Sequence, residues 1–320
     1  MKAPLYSYLR LSVTDRCNFN CFYCNPALRQ DYLNEEEKLT DPQMLLLVKI
    51  FCEYGIKHVR ITGGEPLLRD GLSIAIKGLR ALPQVECLSL TTNGCDLSEF
   101  LEKNRGIRFD KVNISLDTLR RERFKKLTGT DAVLKVKEGV MAAKKAGIKQ
   151  VKLNVILMKG FNDDEISDFV DFGLNKQVDV RFIEYFSTNF KCDNLSASFI
   201  PSSVAKDIIE EKYGALEFLG PDPDAGPAQY FRIKTGAAAR IGFISSVTDF
   251  FCRACNRLRL TCDGKLYPCL HSDYRVDFKE ALTENDSKNI RKLIEEVFSQ
   301  KRSYNKAYCA RSFEMSSIGG

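Results

Sequence analysis

The sequence predicts an α/β protein: a partial barrel of six βα units, open on one side, followed by a smaller α+β extension that closes the opening. Three observations predict it. Six short runs rich in β-branched residues alternate with helix-like stretches over the first part of the 320 residues. The stretch Gly220–Pro227 (GPDPDAGP) is then too rich in glycine and proline for regular structure and reads as a loop. Shorter strand-like runs and one more helix follow it. Residues 1–215 would form the barrel and residues 216–320 the extension.

In chain order, strands are expected at Leu9–Val13, His58–Thr62, Cys87–Thr91, Lys111–Leu116, Val151–Leu157 and Val178–Glu184. The clearest helix runs from Thr40 to Tyr54. Thr40 caps it, Gln43 completes a capping box, Pro42 stands in the first turn and Gly55 follows its end. Further helices are expected over Gly71–Ala81, Ser98–Lys103, Asp131–Ala146, Asp163–Asn175 and Ser203–Tyr213. A complete eight-unit barrel usually takes about 250 residues. Six units in a shorter stretch give an incomplete barrel, and an open doubly wound sheet is the competing closure. The extension should hold strands at Tyr230–Lys234, Ala239–Ile244, Arg257–Thr261 and Lys265–Pro268, and a helix near Asp286–Phe298.

Composition narrows the function. Twelve cysteines stand in a chain whose N-terminus lacks an apolar signal core, so a cytoplasmic protein is expected, with cysteines serving metal or catalysis rather than disulfides. No apolar run reaches the ~18–20 residues of a membrane span. The net charge of +6 suits an anionic substrate if the bases cluster, and no basic, aromatic-interleaved patch points to nucleic acid.

The first cysteine group is Cys17-Asn-Phe-Asn-Cys21-Phe-Tyr-Cys24, on the loop after the first strand. Three thiolates within eight residues can wrap one centre, and thiolate is the usual ligand of iron–sulfur clusters. Three cysteines leave one iron of a cubane open to a small molecule; a zinc knuckle short of a ligand is the plain alternative. C-x3-C-x2-C with an aromatic, Tyr23, before the last cysteine resembles the radical S-adenosylmethionine (SAM) superfamily. That resemblance implies a partial (β/α)6 barrel, a [4Fe-4S] cluster on Cys17, Cys21 and Cys24, and SAM on its open iron.

The unusual residues fall where strands end, the face that carries chemistry in α/β barrels. The second strand ends in Thr62-Gly63-Gly64-Glu65-Pro66, the third in Thr91-Thr92-Asn93-Gly94 and the fourth in Ser115-Leu116-Asp117. Gly63 and Gly64 let backbone approach a ligand closely. The resemblance carries SAM contact to Tyr23, Gly63, Gly64, Glu65, Pro66 and Ser115. It also carries it to Phe186, where the family often has methionine.

A second group, Cys252-Arg-Ala-Cys255, is followed by Arg257-Leu-Arg259 and then Cys269. By spacing alone it fits zinc, with Cys262, His271 or Cys309 as fourth ligand, or a second cluster with an open iron. C-x2-C-x13-C enclosing R-x-R, the run from Leu11 through Thr14-Asp15-Arg16 to Cys17, and the terminal Gly319-Gly320 resemble the GTP 3′,8-cyclase family of molybdenum-cofactor biosynthesis. That likeness implies a lyase with two [4Fe-4S] clusters, the second on Cys252, Cys255 and Cys269. A reduced N-terminal cluster would cleave SAM, the 5′-deoxyadenosyl radical would take hydrogen from the ribose 3′ carbon of GTP, and that carbon would bond to carbon 8 of guanine. The product is (8S)-3′,8-cyclo-7,8-dihydroguanosine 5′-triphosphate. Arg10, Arg60, Thr91, Lys152, Arg181, Arg257 and Arg259 would hold GTP. The implied partners are an electron donor and the next pathway enzyme, cyclic pyranopterin monophosphate synthase; the reading admits a homodimer. The remaining cysteines, 52, 87, 95, 192, 262 and 309, read as small core hydrophobes. Two alternatives stand beside this: a radical SAM enzyme with an auxiliary cluster acting on a peptide, and a non-catalytic zinc module.

Overall fold

Side-chain alternation, more than length or propensity, organises this chain. In the computed structural model, which describes residues 6–24, 31–186, 198–221, 226–234, 239–249 and 255–303, the strands of the first half largely alternate apolar and polar residues. Leu9, Leu11, Val59, Ile61, Leu88, Leu90, Val112, Ile114, Leu153, Val155, Val180 and Phe182 form one face, buried against helices in the main core. Arg10, Arg60, Thr91, Ser115, Lys152, Asn154 and Arg181 line a cavity on the other.

The first six strands are β1 (Tyr8–Ser12), β2 (His58–Thr62), β3 (Cys87–Thr92), β4 (Lys111–Ser115), β5 (Gln150–Leu157) and β6 (Asp179–Glu184). The later ones are β7 (Glu217–Pro221), β8 (Gln229–Arg232), β9 (Ile241–Ile244), β10 (Arg257–Leu260), β11 (Lys265–Tyr267) and β12 (Val276–Asp277). All belong to one sheet, in the order β12-β11-β10-β1-β2-β3-β4-β5-β6-β9-β8-β7. From β10 to β9 every neighbouring pair is parallel; β11–β12 and β8–β7 add antiparallel ends. The sheet is barrel-like and not closed, as expected. The extension lengthens both of its edges: β10 pairs with β1 and β9 with β6.

Nine helices are described: α1 (Asp41–Glu53), α2 (Leu72–Arg80), α3 (Leu97–Lys103), α4 (Arg121–Thr128), α5 (Val133–Lys145), α6 (Ile166–Lys176), α7 (Ser202–Tyr213), α8 (Lys279–Thr283) and α9 (Ser287–Ser303). The expected capping box is present on α1. Gln43 N–H donates to Thr40 Oγ1 at 3.4 Å, and Thr40 N–H donates back to Gln43 Oε1 at 3.0 Å. The short helices α4 and α8 were not anticipated. The first has only Phe124 and Leu127 as buried large apolar residues, too few for a periodic signal, and ends at Gly129 with φ 76°.

The loop expected from Gly220 is corrected, because β7 takes in Gly220 and Pro221. It is the edge strand of the sheet, where proline's missing N–H costs no ladder bond, and the register shifts between Phe218 and Gly220. No helix among the described residues is long and apolar enough to cross a membrane.

Candidate active site

The cysteine loop leaves the C-terminal end of β1 and is held by its neighbours. Asn20 N–H donates to Thr128 O at the end of α4 (2.8 Å), and Asn18 donates to Asp96 (2.9 Å) and accepts from Asn93 (2.7 Å). Gly64 and Glu65 N–H donate to Thr14 O and Arg16 O at 2.8 and 2.7 Å. This explains the glycine pair. A Cβ on Gly63 would lie 2.6 Å from Thr14 O, and one on Gly64 would lie 2.3 Å from Arg16 O. Both glycines line the cavity, but the approach that forbids a side chain is to the cysteine loop's own backbone.

Cys17, Cys21 and Cys24 all line one cavity of about 310 Å³. Burial pushes the Cys17 thiol up to about 11 and raises Cys21 well above its ordinary value, with Cys24 and Asp117 adding to the latter. Ionising thiols so buried needs a cationic partner, which iron would supply. Among the described residues no three His, Cys, Asp or Glu side chains converge on a single ion. Three thiols set around one loop and lining one cavity fit the ligand set of an iron–sulfur cluster, whose irons each take a cysteine sulfur.

Behind the loop, Tyr23 donates its hydroxyl to Asp117 Oδ2 at 2.5 Å, and Ile156 N–H donates to Asp117 Oδ1 at 2.7 Å. Burial, only partly offset by these bonds, raises the Asp117 carboxyl to about 6. Glu65 does not join the cavity wall. It is 1% exposed and accepts from Thr92 Oγ1 (2.7 Å), Asn93 N–H (2.6 Å) and Leu67 N–H (3.1 Å), so it ties the ends of β2 and β3 together. Burial, against those three donors, lifts it to about 7.

Below the loop the wall is cationic. Arg259, Arg10 and Arg60 stand in register on the adjacent strands β10, β1 and β2. Neighbouring strands lie about 4.8 Å apart, so three guanidinium stems share one row. Burial, then Arg259 and Arg60, hold Arg10 well below its usual range; burial and Arg257 bring Arg259 down to about 10. Arg60 Nε donates to Ser89 Oγ at 3.1 Å. Lys152, 1% exposed, has its ammonium 5.4 Å from the Tyr230 ring, and Arg181 donates twice to Asn154 Oδ1 (2.9 and 2.6 Å). Thr91, Ser115, Arg257 and Phe186 also line the cavity, Phe186 with its ring 5.5 Å from His271, while the expected Glu65 and Pro66 do not.

Two cavity cations or neighbours of cations escaped the sequence reading. Lys111 lines the cavity from β4, on the alternation of Asn113 and Ser115. Gly242 on β9 pairs with Arg181, and a Cβ there would lie 2.9 Å from Arg181 Cγ and 3.0 Å from Tyr230 Cε1. Glu184 at the end of β6 is saturated by Ser202, Val247 and Thr248 N–H groups (each 2.9 Å) and the Thr248 hydroxyl (2.5 Å), which fastens the extension to the barrel.

Cys255 and Cys269 flank the hairpin of β10 and β11 at its open end, level with the start of β1. The cysteine loop lies at the opposite end of β1, so the arginine row stands between the two groups. Burial alone would raise the Cys255 thiol; Arg257 and Lys301 outweigh it and bring it down to about 7. A thiol so placed suits metal ligation. Cys262 is buried instead, and burial, with the charges of Asp15 and Asp263 adding to it, lifts it to about 12. Cys52 is buried, Cys87 and Cys95 are half-buried, and Cys252, Cys192, Cys309, Gly319 and Gly320 lie outside the described residues.

The sequence models of two families match: Radical SAM superfamily over residues 11–173, and Molybdenum Cofactor Synthesis C over residues 178–307. A GTP 3′,8-cyclase of Heliobacterium modesticaldum is 38% identical, covering 98% of this chain and 97% of that protein. The chain belongs to the GTP 3′,8-cyclase family. Another GTP 3′,8-cyclase, of Moorella thermoacetica, is 40% identical over 86% of this chain and 84% of its own length. As a radical SAM enzyme, a member of this family uses a [4Fe-4S] cluster and SAM. Among solved structures, Streptococcus suis SuiB bound to S-adenosylmethionine has a TM-score of 0.63 at 16% identity, covering 95% of this chain and 69% of that one. The anSMEcpe structure with AdoMet and the Cp18Cys peptide has a TM-score of 0.55 at 16% identity, covering 98% and 92%. These two share the fold.

Proposed function

We propose that this chain is a GTP 3′,8-cyclase, converting GTP to (8S)-3′,8-cyclo-7,8-dihydroguanosine 5′-triphosphate with two [4Fe-4S] clusters and SAM. One observation carries the reading: three in-register arginines, Arg259, Arg10 and Arg60, stand between the Cys17–Cys21–Cys24 loop and the Cys255–Cys269 pair. Like charges side by side in a sheet oppose folding, and a triphosphate offsets them. Arginine's planar fork suits phosphate oxygens.

Cys17, Cys21 and Cys24 hold the N-terminal cluster, and Cys252, Cys255 and Cys269 the second. When bound, the first cluster supplies the electron that cleaves SAM and hence the carbon radical the reaction needs. The protein's own task is positioning and exclusion. Tyr23, braced by Asp117, and Gly63, Gly64 and Ser115 border the SAM end of the cavity; Glu65 acts on it through the strand ends it ties. Arg10, Arg60, Lys152, Arg181, Arg257 and Arg259 bind the nucleotide, with Thr91 beside them. Tyr8, Phe19, Ile156, Ile183 and Ile244 give the wall apolar sections that keep water from the reacting carbon. Residues 1–215 form the barrel unit and 216–320 the unit that carries the second cluster. The reading also includes an external electron donor and delivery of the product to cyclic pyranopterin monophosphate synthase in the cytoplasm.

The test is anaerobic. The chain is reconstituted with iron and sulfide, reduced with dithionite and given SAM, and 5′-deoxyadenosine is measured with GTP, with ATP and without nucleotide. Stimulation by GTP alone, with its consumption, is expected. Equal release in all three samples contradicts the substrate assignment.

A further inference from the structure

The last turn of α9 sends one side chain into the second cysteine group. Lys301 Nζ donates to Arg257 O at 2.5 Å and to Pro268 O at 2.6 Å, and lies 3.7 Å from Cys255 Sγ. Its ammonium also stands 5.6 Å from the centre of the Tyr6 ring. Arg257 is two residues after Cys255, and Pro268 is the residue before Cys269. These carbonyls face each other across the open end of the β10–β11 hairpin, beyond its last ladder pair, Arg259 with Tyr267. An ammonium has three donors and no acceptor. Here two carbonyls and a sulfur surround it, a set that neither methionine nor glutamine could satisfy in the same way.

The helix that delivers Lys301 is independently anchored. Phe298 packs edge-on against Tyr6 (ring centroids 4.7 Å) and Tyr54 (5.6 Å), and Arg291 donates to Glu53 at 2.8 Å. The lysine thus reaches the hairpin from a fixed base, and its loss need not loosen α9.

We propose that Lys301 is a positioning residue for the second cluster: it ties together the two chain segments that present Cys255 and Cys269 and places a fixed positive charge beside the Cys255 sulfur. The proposal rests on the two-cluster reading above. Two consequences follow. The cysteine pair keeps its spacing through the staple rather than through ladder bonds. The adjacent charge favours the more negative, reduced state of the cluster, since net charge and hydrogen bonds at the sulfurs set cluster potentials.

The experiment compares the wild-type chain with Lys301→Met and Lys301→Arg, each reconstituted anaerobically without nucleotide. Iron and sulfide content, electron paramagnetic resonance of the reduced protein and a potentiometric titration are read for both clusters. In Lys301→Met the second cluster is expected to shift to lower potential, or to lose its iron, while the N-terminal cluster keeps its signal and potential. Lys301→Arg, which preserves the charge, should recover most of the effect. Unchanged iron, signal and potential in Lys301→Met would overturn the proposal. So would equal loss in both variants with a matching fall in helical circular dichroism, which marks a packing residue. A wild-type chain that takes up only one cluster's iron would overturn the two-cluster reading and this proposal together.

Discussion

Replacing Arg10 by methionine separates a binding role for the arginine row from a structural one. Methionine keeps an apolar stem of similar length and removes the charge. Arg10 stands directly between Arg259 and Arg60, and both neighbours depress it after burial does. Relief of two such neighbours is worth on the order of 0.4–2 kcal/mol, at about 0.2–1 kcal/mol per cross-strand charge pair. Set against the contacts Arg10 itself makes, that relief should keep the melting temperature of the apo chain within a few °C of wild type. Binding should weaken. A hydrogen bond to a charged group contributes about 1.5–3 kcal/mol, so the GTP dissociation constant should rise by about 10- to 150-fold. Thermal melts of the apo chain and equilibrium GTP binding to the cluster-loaded chain read the two effects separately. A variant that melts well below that range and binds GTP as wild type does would refute the reasoning, because Arg10 would then be a scaffold cation.

Further perturbations reach other parts of the site. Gly64→Ala places a methyl 2.3 Å from Arg16 O, where only backbone can move; iron uptake by the N-terminal cysteines should fall severalfold while the second cluster stays loaded, as iron analysis and spectroscopy would show. Gly242→Ala drives a methyl against Arg181 and Tyr230; overpacking of this kind costs about 1–3 kcal/mol, and GTP affinity should fall severalfold with both clusters retained. Glu65, raised to about 7 in the folded chain against about 4.3 unfolded, binds more protons folded than unfolded between those values. Its contribution to stability is thus complete below about pH 4 and is lost as pH rises through 7. Urea midpoints of the apo chain should decline over that window, and Glu65→Gln should flatten the decline between pH 6 and 7, leaving the part below 6 that comes from Asp117; an unaltered slope in the variant would show that Glu65 does not titrate there.

Much of the barrel was legible because its strands are short and its helices carry local signals. The Thr40–Gln43 box and the β-branched runs place α1 and the six strands to within a residue or two. The cations were legible for a different reason. Arg10, Arg60, Lys152 and Arg181 each stand between two apolar neighbours in a strand, where a buried charge is costly unless paired. Lys111 obeys the same alternation but opens its strand, where a lysine reads as a surface end. The course of the extension was not legible. The pairings β10–β1 and β9–β6 join segments remote in sequence, and no local pattern says which edge a four-residue strand will take. The role of Gly63 and Gly64 was half legible: a close approach was evident, but its partner, the backbone of Thr14–Arg16, is a tertiary fact. Glu65 sits in a motif that suggests a ligand contact and turns inward to cap two strand ends instead. Lys301, on a helix with many charges, carries no local sign of the cysteine pair it reaches.

The central claim is that this cavity directs a carbon radical at the ribose of GTP, and an isotope test addresses it most directly. The reconstituted chain would be given SAM, dithionite and GTP deuterated at the ribose 3′ carbon, and the 5′-deoxyadenosine formed would be weighed by mass spectrometry. The account predicts deuterium in 5′-deoxyadenosine, in step with GTP consumed. Unlabelled 5′-deoxyadenosine accompanying GTP consumption would contradict it.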